Sequence, residues 1–178
     1  MTKKWTFALF LALVAPLAAA NDSLVRFKGG IGVIPVSSGV AIAPTSATAA
    51  TVESVNRNIV RTVQPPGQIW VIANLRAEVK TDGRIKVRGR GLLLGGGNGI
   101  GTNANQSVFA TLICEAVAPF TLRNTALTGV PLEPNGDFRI DDVLSPPPSD
   151  CASPVLLIRN LGGAWFAAGI VNRRSDDD

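Results

Sequence analysis

The sequence predicts an all-β fold, an antiparallel β-sandwich or small barrel of about nine to eleven short strands. Three observations carry that expectation. Glycine and proline, 18 and 12 of the 178 residues, are scattered along the chain and cut it into short runs. The runs between them are rich in β-branched and aliphatic residues, the pattern of strands separated by turns. No stretch of useful length places apolar residues at helical spacing. The nearest is residues 47–60, with Val52, Val55 and Ile59 among alanine and threonine. A long loop ending in a strand at residues 58–63 fits that composition better than a surface helix.

The clearest element is residues 68–94. Ile69, Val71, Ala73, Leu75, Ala77 and Val79 take odd positions, whereas Asn74, Arg76, Glu78 and Lys80 take even ones. Such alternation marks a strand with one buried face. Beyond Asp82-Gly83 the odd positions are again apolar or small (Ile85, Val87, Gly89, Gly91, Leu93), and the even ones are Arg84, Lys86, Arg88 and Arg90. A two-residue Asp-Gly turn would pair odd with even positions and put the two apolar sets on opposite faces. A three-residue turn, Thr81-Asp82-Gly83, pairs Val79 with Ile85 and Ala77 with Val87, with Gly83 in the left-handed position. The three-residue turn is therefore expected.

Residues 107–117 are apolar on both faces, as in a central strand, and residues 120–124 suggest a further strand. Val130-Pro-Leu132 and Phe138-Arg-Ile140 flank Glu-Pro-Asn-Gly-Asp, which reads as a hairpin with a longer turn. Residues 155–158 and 164–170, the second containing Trp165 and Phe166, read as core strands. Three consecutive prolines make residues 145–150 a stiff exposed loop.

The first twenty residues have the order of a secretory signal peptide. Lys3 and Lys4 precede an uncharged run over residues 5–17, and Ala18-Ala19-Ala20 supplies small residues for cleavage. The run is short for a bilayer span, which takes about 20 residues. The expected organisation is a signal peptide over 1–20, one β domain over 21–175 and an acidic tail over 176–178. Loss of Lys3 and Lys4 lowers the count of basic side chains from 17 to 15 against 13 acids, a net charge of +2 in place of +4. An even pair of cysteines in an exported chain, Cys114 and Cys151, reads as a disulfide.

Absences exclude much chemistry. The chain has no histidine and no tyrosine. A His-dependent triad, a His-ligated zinc and a histidine proton switch are thereby ruled out. An outer-membrane barrel, normally girdled by aromatics, is disfavoured by the same composition. The run from Gly95 to Gly101 lacks both the dinucleotide fingerprint and the Gly-Lys-Ser/Thr of a phosphate loop, and reads as a connection between strands. Glu53, Glu78, Glu115, Glu133, Asp137, Asp141 and Asp142 offer carboxylates, but with no calcium-loop spacing. Neighbours Asp141 and Asp142 point to opposite faces of any strand. No catalytic, cofactor-binding or metal residue is assigned.

One surface stands out. In the three-residue register Arg76, Lys80, Arg84, Lys86, Arg88 and Arg90 share a hairpin face, opposed there only by Glu78, with Asp82 at the tip. Arg76 would lie directly across from Arg88, a destabilising placement. The expected function is a secreted, non-enzymatic β domain that binds an anionic partner through this face: acidic polysaccharide, lipid headgroups or an acidic protein. Nucleic acid is disfavoured, since no aromatic residue is interleaved with the charges. An ordinary solvated face is the plain alternative, a carboxylate-dependent secreted hydrolase the enzymatic one, and an inhibitor-like structural domain a third. Secreted material should begin at Asn21 on N-terminal sequencing; a cytoplasmic protein retaining Met1 would overturn the export reading.

Overall fold

The structure, a computed structural model, describes residues 22–34 and 58–172. The expected signal peptide, most of the ambiguous segment at 47–60, Glu53 and the acidic tail lie outside them. Eleven strands follow in order: β1 (Ser23–Gly32), β2 (Trp70–Val71), β3 (Asn74–Lys80), β4 (Arg84–Arg90), β5 (Leu93–Leu94), β6 (Ser107–Ile113), β7 (Arg123–Asn124), β8 (Val130–Pro131), β9 (Phe138–Val143), β10 (Val155–Asn160) and β11 (Trp165–Val171). Among the described residues no helix is long and apolar enough to cross a membrane.

The main sheet is antiparallel and runs β7-β6-β10-β11-β1-β3-β4-β9, with β8 pairing off this path onto β6. Its two ends meet. The Asn124 amide donates to the Ser145 carbonyl at 3.0 Å and the Ser145 amide returns a bond to Asn124 at 2.8 Å. The eight strands of the path thus close almost completely into a barrel, which removes most of the exposed sheet edge. One hydrophobic cluster fills it, with Leu75, Val79, Ile85, Val87, Leu112, Leu156 and Ile158 fully buried. The rings of Trp70 and Phe166 stack with centroids 3.9 Å apart.

The central hairpin forms in the expected register. Val79 pairs with Ile85, Ala77 with Val87 and Arg76 with Arg88. Gly83 takes φ +85°, and its amide donates to Lys80 at 3.0 Å. The long alternation of residues 68–94 is broken in two, however. Ala73 sits opposite Gly91, whose φ is +65°, and beyond that point the phase flips: Trp70 and Leu92 are buried, whereas Val71 is 47% exposed. The left-handed residue turns the chain, and β2 and β5 leave the barrel as a separate two-stranded sheet.

Three other expectations are corrected. Residues 58–63 are no strand: Val60 and Val63 exchange backbone bonds across a two-residue turn with Arg61 at φ 45° and Thr62 at φ 74°. That conformation is unfavourable for a β-branched residue. It is held because the Arg61 guanidinium donates to the carbonyls of Ile113 (3.1 Å) and Ser153 (2.6 Å) and to Ser153 Oγ (2.6 Å). Of residues 120–124 only Arg123–Asn124 is strand. The Glu-Pro-Asn-Gly-Asp turn closes, with Glu133 and Asp137 bonded at 2.9 Å, but the strands it joins part company: β8 pairs with β6 and β9 with β4.

The disulfide joins Cys114 and Cys151 with α-carbons 4.4 Å apart, 37 residues apart in sequence. It ties the end of β6 to the loop before β10. Closing a loop of that length stabilises the fold by about 4 kcal/mol on chain entropy alone.

Gly89, paired with Phe138 on β9, shows how tightly the inner face is packed: a Cβ at this position would fall within the Phe138 ring. Gly89→Ala is expected to lower unfolding free energy by about 1–3 kcal/mol, the usual cost of overpacking. Denaturant unfolding measures it; an unchanged midpoint would show that Phe138 swings aside freely.

Candidate anion-binding face

Alternation on β3 and β4 turns Leu75, Ala77, Val79, Ile85 and Val87 inward, so the residues between them face solvent. Arg76, Arg84, Lys86, Arg88 and Arg90 are exposed and Lys80 is half-buried. The structure therefore gathers all six expected cations on the outer face of the hairpin. It also shows that the hairpin is not an edge. Strand β1 flanks it on one side and β9 on the other, and both bring charges to the same face.

Register sorts these charges into rows that cross the strands. In one row Arg26 lies opposite Glu78, Glu78 opposite Lys86, and Lys86 opposite Asp141. Signs alternate, and two ion pairs form: Arg26 Nη2 to Glu78 Oε1 at 3.0 Å, and Lys86 Nζ to Asp141 Oδ2 at 3.5 Å. Hydrogen bonding from Arg26, opposed by partial burial and helped by Ser23, holds the Glu78 carboxyl below the usual carboxylate range. Glu78 is thus not the sole acid on this face, as expected from the hairpin alone, because Asp141 arrives from β9. Near the tip Arg84 Nε contacts Asp82 Oδ2 at 2.6 Å.

The next row is entirely cationic. Lys28 lies opposite Arg76, Arg76 opposite Arg88, and Arg88 opposite Arg139. All four side chains are exposed, and among the described residues none forms an ion pair. Neighbouring strands are about 4.8 Å apart, so the row is a line of positive charges at that interval along the backbone. One row further on, Asn74 faces Arg90. Asn74, Arg76, Arg88 and Arg90 together line a shallow cavity of about 270 Å³. Asp137, the residue before β9, accepts the Gly91 amide at 3.0 Å through Oδ1.

Lys28 and Arg139 add to the six cations that the hairpin register predicts. Their outward direction was legible, since Lys28 follows Phe27 and Arg139 stands between Phe138 and Ile140. Which strands would flank the hairpin was not.

Two of the described carboxylates are held by other groups. Asp142 accepts the amides of Ala126 and Val143, both at 2.8 Å. Glu115 is bound to Arg123 Nη1 at 2.8 Å. Burial pushes the Glu115 carboxyl up, but the Thr121 amide and the Arg123 guanidinium outweigh it and hold the group at about 2. That is a fixed anion, the reverse of a carboxyl poised to donate a proton. Among the described residues no three His, Cys, Asp or Glu side chains gather as a metal site.

Comparison of the chain with protein-family models, with curated proteins and with solved structures finds no match.

Arg88, like Arg76, has a like charge on both sides in the row. Opposed like charges destabilise a sheet by some tenths of a kcal/mol each, and threonine suits an exposed central strand. Arg88→Thr should therefore raise stability by about 0.5–1 kcal/mol in denaturant unfolding. A less stable variant would show that the row carries no repulsive strain.

Proposed function

We propose that this protein is a secreted, non-enzymatic β domain that binds an anionic surface or polymer through the basic face on β1, β3, β4 and β9. The observation that carries this reading is the Lys28–Arg76–Arg88–Arg139 row, in which four successive strands contribute a cation at the same level. The neighbouring row alternates in sign, so the same four strands accept acids one step away. Stability alone favours alternation in both rows. An anionic partner relieves the repulsion and gains from the summed field.

Export is supported by the charged, apolar, small-residue order of residues 1–20 and by the disulfide, which suits an oxidising compartment. The partners available there are acidic polysaccharide, anionic lipid headgroups and acidic protein. Nucleic acid is disfavoured because the outward residues of these strands include no aromatic ring on which a base could stack.

The mature protein should be retained on an immobilised acidic polymer at low ionic strength and released as salt is raised, since exposed charges are screened beyond about 8 Å at physiological strength. Arg88→Glu combined with Arg90→Glu should abolish retention and leave the unfolding transition cooperative. Wild-type protein that flows through at low salt, or a double variant retained unchanged, would overturn the reading.

A further inference from the structure

The basic row has a direction and a shape. It crosses the strands at one level, and Lys28 and Arg139 stand three strand steps apart on a path of eight that closes into a barrel. The row therefore bends around more than a third of the circumference. Sheet twist, about 20–25° between adjacent strands, turns it further into a shallow helical track. A flat surface can touch only the crest of such a track, whereas a flexible chain can follow it from end to end.

Spacing narrows the chemistry. Backbones stand about 4.8 Å apart, and side chains splay on a convex face, so the charged tips stand somewhat farther apart than that. This interval matches the length of one pyranose residue with its glycosidic bond. A flexible chain with an anion on each sugar can turn those anions toward the row by rotation about its glycosidic bonds, offering one to the cation of each strand. Three of the four cations are arginines, whose planar forks suit carboxylates in bidentate contact. In mid-row, Arg76 and Arg88 share their cavity of about 270 Å³ with Arg90 and the Asn74 amide, room for one such acidic group and donors for a sugar hydroxyl.

Building on the anion-binding reading above, we propose that the partner is a polyuronate-type acidic polysaccharide, with a carboxylate on each sugar, laid across strands β1, β3, β4 and β9 along the Lys28–Arg76–Arg88–Arg139 track. Both ends of the track contribute, and register with the polymer repeat sets the preference.

The test compares four probes at pH 7 and low salt with the mature, disulfide-bonded protein. They are polygalacturonate, with a carboxylate on each sugar; hyaluronate, with one on every second sugar, matched in carboxylate concentration; vesicles of phosphatidylcholine with phosphatidylserine; and a single-stranded oligonucleotide. Polygalacturonate should bind about tenfold more tightly than the other three. Arg139→Glu, at the end of the track, should weaken that binding about tenfold. Lys86→Glu, the same change of charge in the alternating row, should weaken it two- to threefold at most. Arg139→Gln, a milder change, should fall between wild type and Arg139→Glu, and secures the comparison if the reversal disturbs folding. Equal losses from Arg139→Glu and Lys86→Glu, or equal affinity for the two polysaccharides, would overturn the track while leaving the face a general anion binder. Tighter binding to vesicles or to the oligonucleotide would overturn it in favour of that partner. Failure of all four probes to bind at low salt would instead remove the anion-binding reading itself.

Discussion

Much of this structure depends on the handedness of one turn residue. Gly83, at φ +85°, closes a three-residue connection between β3 and β4, and that odd number aligns like parity with like across the hairpin. Val79 then meets Ile85 and Ala77 meets Val87, so both strands bury their apolar sets together. A turn shorter by one residue would expose one of the two sets, because side chains alternate with a period of two. The same alignment stacks cation against cation on the outside. The core and the basic face are two consequences of a single register.

Closure converts that hairpin from a ribbon into part of a curved wall. Strand β1 adds Arg26 and Lys28 on one side, β9 adds Arg139 and Asp141 on the other, and the Asn124–Ser145 bonds bring the sheet ends together. On other strands, the Cys114–Cys151 bridge and the Arg61 clamp on Ile113 and Ser153 tie loops to the end of β6. β6 itself is buried on nearly its whole length. The disulfide and the Arg61 clamp act on β6, whereas the exposed cations sit on β1, β3, β4 and β9, so changes at the cations leave those braces untouched.

The wall is unusual in its constancy. The chain has no histidine, the side chain whose ordinary pKa lies nearest neutrality, and three of the four cations in the row are arginines. Ionic strength, and not pH, is therefore the variable that tunes this surface near neutrality. Acids on or beside the same strands are committed: Glu78 to Arg26, Asp141 to Lys86, Asp137 to the Gly91 amide. What is left is a line of positive charge bordered by a balanced row.

The sequence alone determined the all-β class, the disulfide partners, the three-residue turn and the six hairpin cations, because each rests on a local rule: period-two alternation, cysteine count, turn parity. Local rules failed where a neighbour intervened. The phase flip at Ala73 and Gly91 follows from a left-handed glycine whose need arises only when β2 and β5 leave the barrel. The turn at Arg61 and Thr62 looked like strand because β-branched residues surround it, and only the distant carbonyls of Ile113 and Ser153 hold it otherwise. Lys28 and Arg139 joined the basic row for the same kind of reason. Their facing direction is written in the alternation, but strand order is set by packing between segments far apart in the chain, and only the tertiary structure decided that β1 and β9 flank the hairpin.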